Sequence, residues 1–140
     1  MTETLERTLF FIKPSGTEDD KWLKIIPMCL QIDDVKIICS KIFCPMPKEL
    51  AEELYKEHKG EDHYEPLINS VCCGISIAIV FEGYGVIEKI RTLNGATDPE
   101  KAAEGTIRRM FGINKRENAA HASDSKKSSD REIPILFPAL

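Results

Sequence analysis

Short apolar runs that alternate with stretches of helical periodicity constrain the fold of this chain more than any other feature. Residues 9–12, 35–42 and 74–81 are rich in Leu, Ile, Val and Phe, and they predict three strands, the last of them central in its sheet. Residues 21–32 and 86–93 carry apolar side chains at helical spacing. Pro27 lies within the first of these stretches and predicts a kinked helix, or one that begins near the proline.

Proline and capping residues predict further elements. Pro47 suits the first turn of a helix, and Asp98 followed by Pro99 suits the N-cap and first position of another. Residues 105–124 are polar and basic with few apolar anchors, so they are predicted to form a long irregular stretch. Such a stretch within a compact domain is usually functional or disordered.

The C-terminal part predicts a short helix and a last strand. Residues 125–132 are predicted to be helical, and residues 133–137 an edge or irregular strand, because Pro134 cannot donate to a ladder. The whole order is βαββα followed by loop, helix and strand. It predicts an α+β fold with helices covering one sheet, in a single domain spanning residues 1–140.

Composition and charge exclude several classes of protein. The hydrophobic content of 42% and the charged content of 30% are those of an ordinary globular domain. No apolar run approaches the roughly 20 residues of a membrane span, and the polar N-terminus does not resemble a signal peptide. A net charge of −4 argues against a nucleic-acid-binding module, which needs a basic face. The five cysteines lack zinc-site spacing, which predicts reduced thiols in a cytoplasmic protein.

His121 is the most prominent candidate for chemistry. Small residues surround it, Ser123 follows it, and Glu132 lies a little further along the chain. An imidazole oriented by a carboxylate can act as a nucleophile or a general base. A histidine in a loop before a capped helix is the more common structure for such a segment taken alone.

Several polar residues end predicted elements and would complete a pocket around that histidine. They supply cations, a hydroxyl and an amide, which is the set of groups that binds phosphates, and Arg binds them bidentately. Each of them alone is more often a solvated surface residue. The candidates are Lys13, Arg91, Thr97, Arg108 and Asn118.

The chain resembles the nucleoside diphosphate kinases along nearly its whole length. The histidine segment and the Asn-Gly-x-Thr-Asp-Pro segment are its most specific matches. The matching stretches, in order, are residues 6–16, 81–83, 94–99, 105–108 and 118–125.

This resemblance implies a fold and an activity. The fold is a ferredoxin-like antiparallel sheet covered by helices, with a protruding loop between about residues 98 and 116. The activity is transfer of the terminal phosphoryl group from a nucleoside triphosphate to a nucleoside diphosphate, by a ping-pong mechanism through a phosphohistidine. Mg²⁺ is implied as the cofactor, held through the nucleotide phosphates with no protein ligand, and the assembly is implied to be a homo-oligomer.

The resemblance also implies a role for each matching residue. His121 is the nucleophile, Glu132 orients its ring, and Ser123 supports the pair. Asn118 and Lys13 match the positions that contact the sugar. The positions that hold phosphates are matched by Lys13, Tyr55, Arg91, Thr97 and Arg108.

The chain departs from the family at several positions near the implied pocket. His63 aligns with the phenylalanine that stacks on the nucleobase, and Tyr64, one position along, is the alternative stacking residue. Ser15 replaces an aspartate, and Ala122 replaces a glycine beside the histidine. The other departures are Pro27 and the acidic run Glu18, Asp19 and Asp20. These changes keep a second hypothesis open, a nucleotide-binding or regulatory relative with weak catalysis.

Overall fold

Strand β1 (Leu5–Ile12) lies at the centre of the structure, a computed structural model that describes residues 3–140. Its side chains from Thr8 to Ile12 are all buried. Because successive strand residues point to opposite faces, Leu9 and Phe11 enter one core while Phe10 and Ile12 enter another. The continuous apolar run therefore reflects a strand that is covered on both sides.

The sheet has four antiparallel strands in the order β2-β3-β1-β4. Both β1 and β3 (Ser76–Tyr84) are interior, whereas β2 (Lys36–Phe43) and the short β4 (Ala120–Ala122) form the edges. This arrangement confirms the predicted α+β class with an antiparallel sheet. It also confirms the central position predicted for residues 74–81.

Helices cover both faces of the sheet. On one face, α3 (Lys48–Leu54), α4 (Tyr64–Cys72) and α7 (Lys126–Leu136) pack against Leu9, Phe11 and their neighbours. The other face is covered by α2, α5 and α6, which pack around Phe10 and Phe81. Their bounds are Trp22–Leu30, Val86–Asn94 and Ile107–Phe111, and a single turn, α1 (Pro14–Thr17), follows β1.

The prediction of a last strand at residues 133–137 is wrong. Helix α7 continues to Leu136, and its Ile133 and Leu136 pack into the core at helical spacing. Pro134 is tolerated because it is exposed near the helix end, where the carbonyl that loses its donor can be hydrated. The fourth strand is instead β4, inside the stretch predicted to be irregular.

Two other local predictions need correction. Asp98 and Pro99 form a turn, in which Asp98 Oδ1 accepts from Glu100 N at 3.0 Å, and no helix begins there. The nearby helix is α6, which Thr106 caps by accepting from Arg109 N. Pro27 is exposed inside a continuous α2, so that helix neither ends nor begins at the proline.

Candidate active site

The edge strand β4 carries His121 on the face of the sheet that α7 covers. His121 pairs with Phe11 of β1, and directly opposed residues of antiparallel strands point to the same face. Glu132 lies on α7, which packs on that face. Strand register and helix docking thus bring together two residues that are distant in the chain.

A carboxylate and a hydroxyl fix the His121 ring. His121 Nε2 lies 2.8 Å from Glu132 Oε1, and Ser123 Oγ donates to the same oxygen at 2.8 Å. Ser123 is itself held against β1, because its backbone N donates to Leu9 O at 3.1 Å. Burial alone would raise the pKa of Glu132, but the hydrogen bonds from His121 and Ser123, together with the charges of His121 and Arg131, outweigh it and keep that pKa below its usual value. Glu132 is therefore ionised at neutral pH.

The backbone that leads into His121 is strained and firmly held. Ala119 has φ of 74°, and Ala120 N donates to Asn118 O at 3.0 Å, which together define a γ-turn of the rare, strained type. Ala119 N donates to Ser15 Oγ at 3.2 Å. Ser15 therefore provides an oxygen acceptor where the related family has aspartate.

Two side chains from the other face clamp the next peptide. Asn94 Nδ2 and Arg108 Nε both donate to Ala120 O at 3.1 Å. Arg108 Nη1 also donates to Gly95 O at 3.1 Å, which ties α6 to the end of α5. Burial, reinforced by the charge of Arg91, lowers the pKa of Arg108 to about 10, so the guanidinium stays charged at neutral pH.

Lys13 is a buried cation at the end of β1. Its Nζ donates to Asn118 Oδ1 at 2.9 Å, and Asn118 Nδ2 donates to Thr97 O and to Lys115 O, each at 3.0 Å. Burial, with the nearby charge of Arg108, lowers the pKa of Lys13 to about 7. Such an ammonium is stabilised by an anion, because an opposite charge favours the protonated form.

Tyr55 places an unused hydroxyl beside these groups. Its ring lies edge-on to His121 with centroids 5.9 Å apart, and Lys13 Nζ lies 5.9 Å from its ring centroid. Within residues 3–140, Tyr55 Oη is buried and has no hydrogen-bond partner. Burial and the Glu132 carboxylate raise the pKa of Tyr55, so the hydroxyl remains a donor. A buried donor of this kind is available to a ligand.

These groups surround a cavity of about 540 Å³, a size suited to a small-molecule ligand. Of the side chains predicted from sequence, Ser123 alone lies behind the cavity wall, where it supports Glu132. Tyr64, the alternative stacking residue, is packed in the core and does not line the cavity, so that alternative is wrong. The predicted residues that line the cavity are Lys13, Tyr55, His63, Arg91, Thr97, Arg108, Asn118, His121 and Glu132.

Sequence reasoning missed several cavity residues. Arg131 reaches from α7 to Leu54 O at 3.0 Å and lies 3.2 Å from Glu57, so it joins the helix that carries Glu132 to the end of α3. Its position next to Glu132 was the only sequence signal. Lys115 and Arg116 add positive charge from the loop before Asn118, where a basic run could have indicated them.

Comparison with known proteins identifies the family to which this architecture corresponds. The sequence model described as nucleoside diphosphate kinase matches residues 6–140. The nucleoside diphosphate kinase of Clostridium perfringens is 40% identical over 134 residues, which cover 96% of this chain and 92% of the relative. That of Persephonella marina is 39% identical over 137 residues, 98% of this chain and 96% of the relative.

Two solved structures share the fold along nearly the full chain. The Aquifex aeolicus nucleoside diphosphate kinase superimposes with a TM-score of 0.89 at 35% identity, covering 96% of both chains. The Halobacterium salinarum nucleoside diphosphate kinase in complex with CDP gives a TM-score of 0.89 at 33% identity, covering 96% of this chain and 88% of that one.

Proposed function

The chain belongs to the nucleoside diphosphate kinase family and is an enzyme of nucleotide phosphoryl transfer; on that premise we propose that it works by a ping-pong mechanism through a phosphohistidine at His121. A nucleoside triphosphate donates its terminal phosphoryl group to the ring, and a nucleoside diphosphate then accepts it. The observation that carries the proposal is the 2.8 Å contact between His121 Nε2 and Glu132, in a cavity lined by cations.

The ring nitrogen that attacks is Nδ1. In the neutral ring, Nε2 carries the proton and donates a hydrogen bond to ionised Glu132. The lone pair of the ring then lies on Nδ1. As the P–N bond forms, the ring becomes positive, and Glu132 stabilises that charge at the opposite nitrogen. Ser123 holds Glu132 in place by donating to the same oxygen.

The surrounding donors stabilise negative charge on the transferring group. Arg108 and Arg91 contribute guanidinium groups to the cavity wall, Lys13 adds an ammonium, and Tyr55 adds a hydroxyl. Preorganised charges of this kind are the main source of rate acceleration in phosphoryl transfer. Thr97, Asn118 and Lys13 also line the cavity, and we expect Asn118 and Lys13 to contact the sugar.

One cavity serves the donor and acceptor nucleotides in turn. The diphosphate occupies the place that the spent donor leaves, which accounts for ping-pong order. The Halobacterium salinarum relative was solved in complex with CDP, a nucleoside diphosphate, and this supports nucleoside diphosphates as ligands here. Contacts to phosphates and sugar are common to all nucleotides, so we expect broad base specificity, with His63 as the base-stacking residue.

The side chains that line the cavity are compatible with Mg²⁺ if the nucleotide phosphates supply most of the ligands of the ion. The cavity is mainly cationic, and Asp124 is a lining carboxylate that the His121 pair does not use. Hydrogen bonds from Ser128 and Ser125, acting against the effect of burial, keep the pKa of Asp124 below its usual value. Asp124 would hold the ion's water shell, and the ion would neutralise phosphate oxygens.

Labelling tests the proposal. After incubation with ATP labelled at the γ-phosphate, the protein should carry an acid-labile label that GDP removes as labelled GTP. His121→Ala should fold normally and take up no label, while His58→Ala, at another histidine of the cavity wall, should still be labelled. Label retained in His121→Ala would assign the nucleophile to another residue.

The same assay discriminates the second candidate function, a nucleotide-binding relative with weak catalysis. That function predicts nucleotide binding without label transfer. Every position that the family match assigns to catalysis is filled in this chain, and Ser15 accepts a hydrogen bond from Ala119 N beside the histidine strand. These observations favour the active kinase.

The assembly, location and domain structure are also proposals. Edge strand β2 exposes Ile37 (45%) and Ile42 (72%), which supports a homo-oligomer measurable by light scattering. All five cysteines are free, which supports a cytoplasmic location. Both cores share one sheet, which supports a single domain with one cooperative unfolding transition.

Among the described residues, no helix has the length and apolarity needed to cross a bilayer.

A further inference from the structure

His58, Glu61 and His63 bring three ligand atoms together at the cavity rim. Glu61 Oε2 lies 3.4 Å from His58 Nδ1 and 2.8 Å from His63 Nε2, and the two ring nitrogens are 3.2 Å apart. A tetrahedral ion bound at about 2.0–2.1 Å holds its ligand atoms about 3.3 Å apart. The three separations, from 2.8 to 3.4 Å, bracket that value.

The backbone holds these side chains in place through two successive turns. Glu61 N donates to His58 O at 3.0 Å, and Tyr64 N donates to Glu61 O at 3.1 Å. Gly60 lies inside the first turn and permits it with φ of 95°, and among the described residues no atom beyond its chain neighbours lies within 4 Å of the position that a Cβ would occupy. Glycine is therefore used for its backbone conformation and not for close packing. His63 follows directly as the residue before α4.

The three atoms also direct lone pairs at a common point. If both ring nitrogens carried protons, two N–H groups would face each other across the 3.2 Å contact between His58 and His63. With one proton between the rings, one nitrogen donates and the other accepts. When both of these nitrogens are deprotonated, a cation between the three atoms accepts one lone pair from each.

We propose that His58, Glu61 and His63 bind a divalent transition-metal ion of the Zn²⁺ class. Two imidazoles and one carboxylate suit Zn²⁺, Ni²⁺ or Cu²⁺, whereas Mg²⁺ prefers an octahedral set of oxygens. The three side chains are 43%, 50% and 48% exposed for His58, His63 and Glu61, so water can complete the coordination. The site is separate from Mg²⁺ carried by nucleotide, and His63 is one of the residues at which the chain departs from its family.

Zinc titration of the chelator-treated full chain tests the site. The parent protein should carry Cys44→Ser and Cys73→Ser, because these exposed thiols are competing zinc ligands. Calorimetry should show one Zn²⁺ per chain, and Glu61→Gln and His58→Ala should each weaken binding by at least about tenfold, the loss seen even for outer-sphere partners. Binding should also weaken as the pH is lowered, because protons compete with the metal ion for its ligands. Unchanged affinity in both variants would overturn the proposal.

Histidine NMR gives a second readout that does not depend on those variants. The chain has three histidines, and His121 is engaged with Glu132 outside the cluster. Zn²⁺ should shift the ring resonances of His58 and His63 and leave those of His121 in place, and His121→Gln should bind Zn²⁺ like the parent. Shifts confined to His121, or none at all, would overturn the proposal. Since no nucleotide is present, the outcome is independent of the proposed kinase activity.

Discussion

Replacing Lys13 with methionine should stabilise the ligand-free protein while abolishing its activity. Lys13 is 4% exposed, and burial together with Arg108 lowers its pKa from 10.5 to about 7. At about 1.36 kcal/mol per pH unit, the charged side chain then disfavours the folded state by about 5 kcal/mol below pH 7. Methionine keeps the volume but leaves Asn118 Oδ1 without its donor, which costs about 1–3 kcal/mol. A net gain of about 2–4 kcal/mol is expected at pH 6.

The pH dependence gives the sharper test. Between about pH 7 and 10.5 the unfolded chain keeps a proton that folded Lys13 has released, so the stability of the wild type rises with pH in this window. The advantage of Lys13→Met should therefore shrink from pH 7 upwards. Urea unfolding of both proteins at several pH values between 6 and 9.5 measures this difference, with Lys101→Met at an exposed position as the control. A difference that stays constant, or grows with pH, would refute the reasoning.

Three further substitutions probe the site. Glu132→Gln removes the charge that stabilises the histidine, so it should raise the activation free energy of kcat by about 1.5–3 kcal/mol with little change in KM. An unchanged kcat would contradict the orienting role. Gly16→Ala directs a methyl group into Ala119 O, so it should lower the free energy of unfolding in urea by about 1–3 kcal/mol and reduce activity. Gly74→Ala is the control and should change neither quantity, because its added methyl group would lie 3.5 Å from the nearest atom. His63→Phe should keep or improve ADP affinity, because a phenyl ring offers a larger face for stacking on the base; a clear loss of affinity in the variant would contradict base stacking by His63.

The sheet and its central strand were predictable because their signals are local. The apolar run in β1 and the Ile- and Val-rich run in β3 are continuous only because both strands are buried on two faces. The alternation of these runs with helical spacing then restricts the fold class. The pairing of His121 with Glu132 was expected from family resemblance, and its geometry depends on the register between β1 and β4.

The errors arose where tertiary packing overrides local preference. Pro134 argued for a strand, but the contacts of Ile133 and Leu136 with the core stabilise a helix through it. Strand β4 has three residues and gains its form from pairing with β1, so its own sequence carries little strand signal. The cluster around Glu61 was not predictable either, because its side chains are brought together by two successive turns, the first of which contains Gly60.

The two halves of the active site rest on strands of very different local stability. Lys13 directly follows β1, whose buried side chains belong to both cores. Because this strand cannot separate from the sheet without disrupting both cores, hydrogen exchange of its amides is expected to require opening of the whole molecule. His121 lies on an edge strand with one neighbour, and such a segment can open by a smaller fluctuation that leaves the cores intact. The contacts of Ser123, Asn94 and Arg108 oppose that opening. Bound nucleotide would add to them, so amide protection at β4 should be the part of the exchange pattern that responds most to ligand.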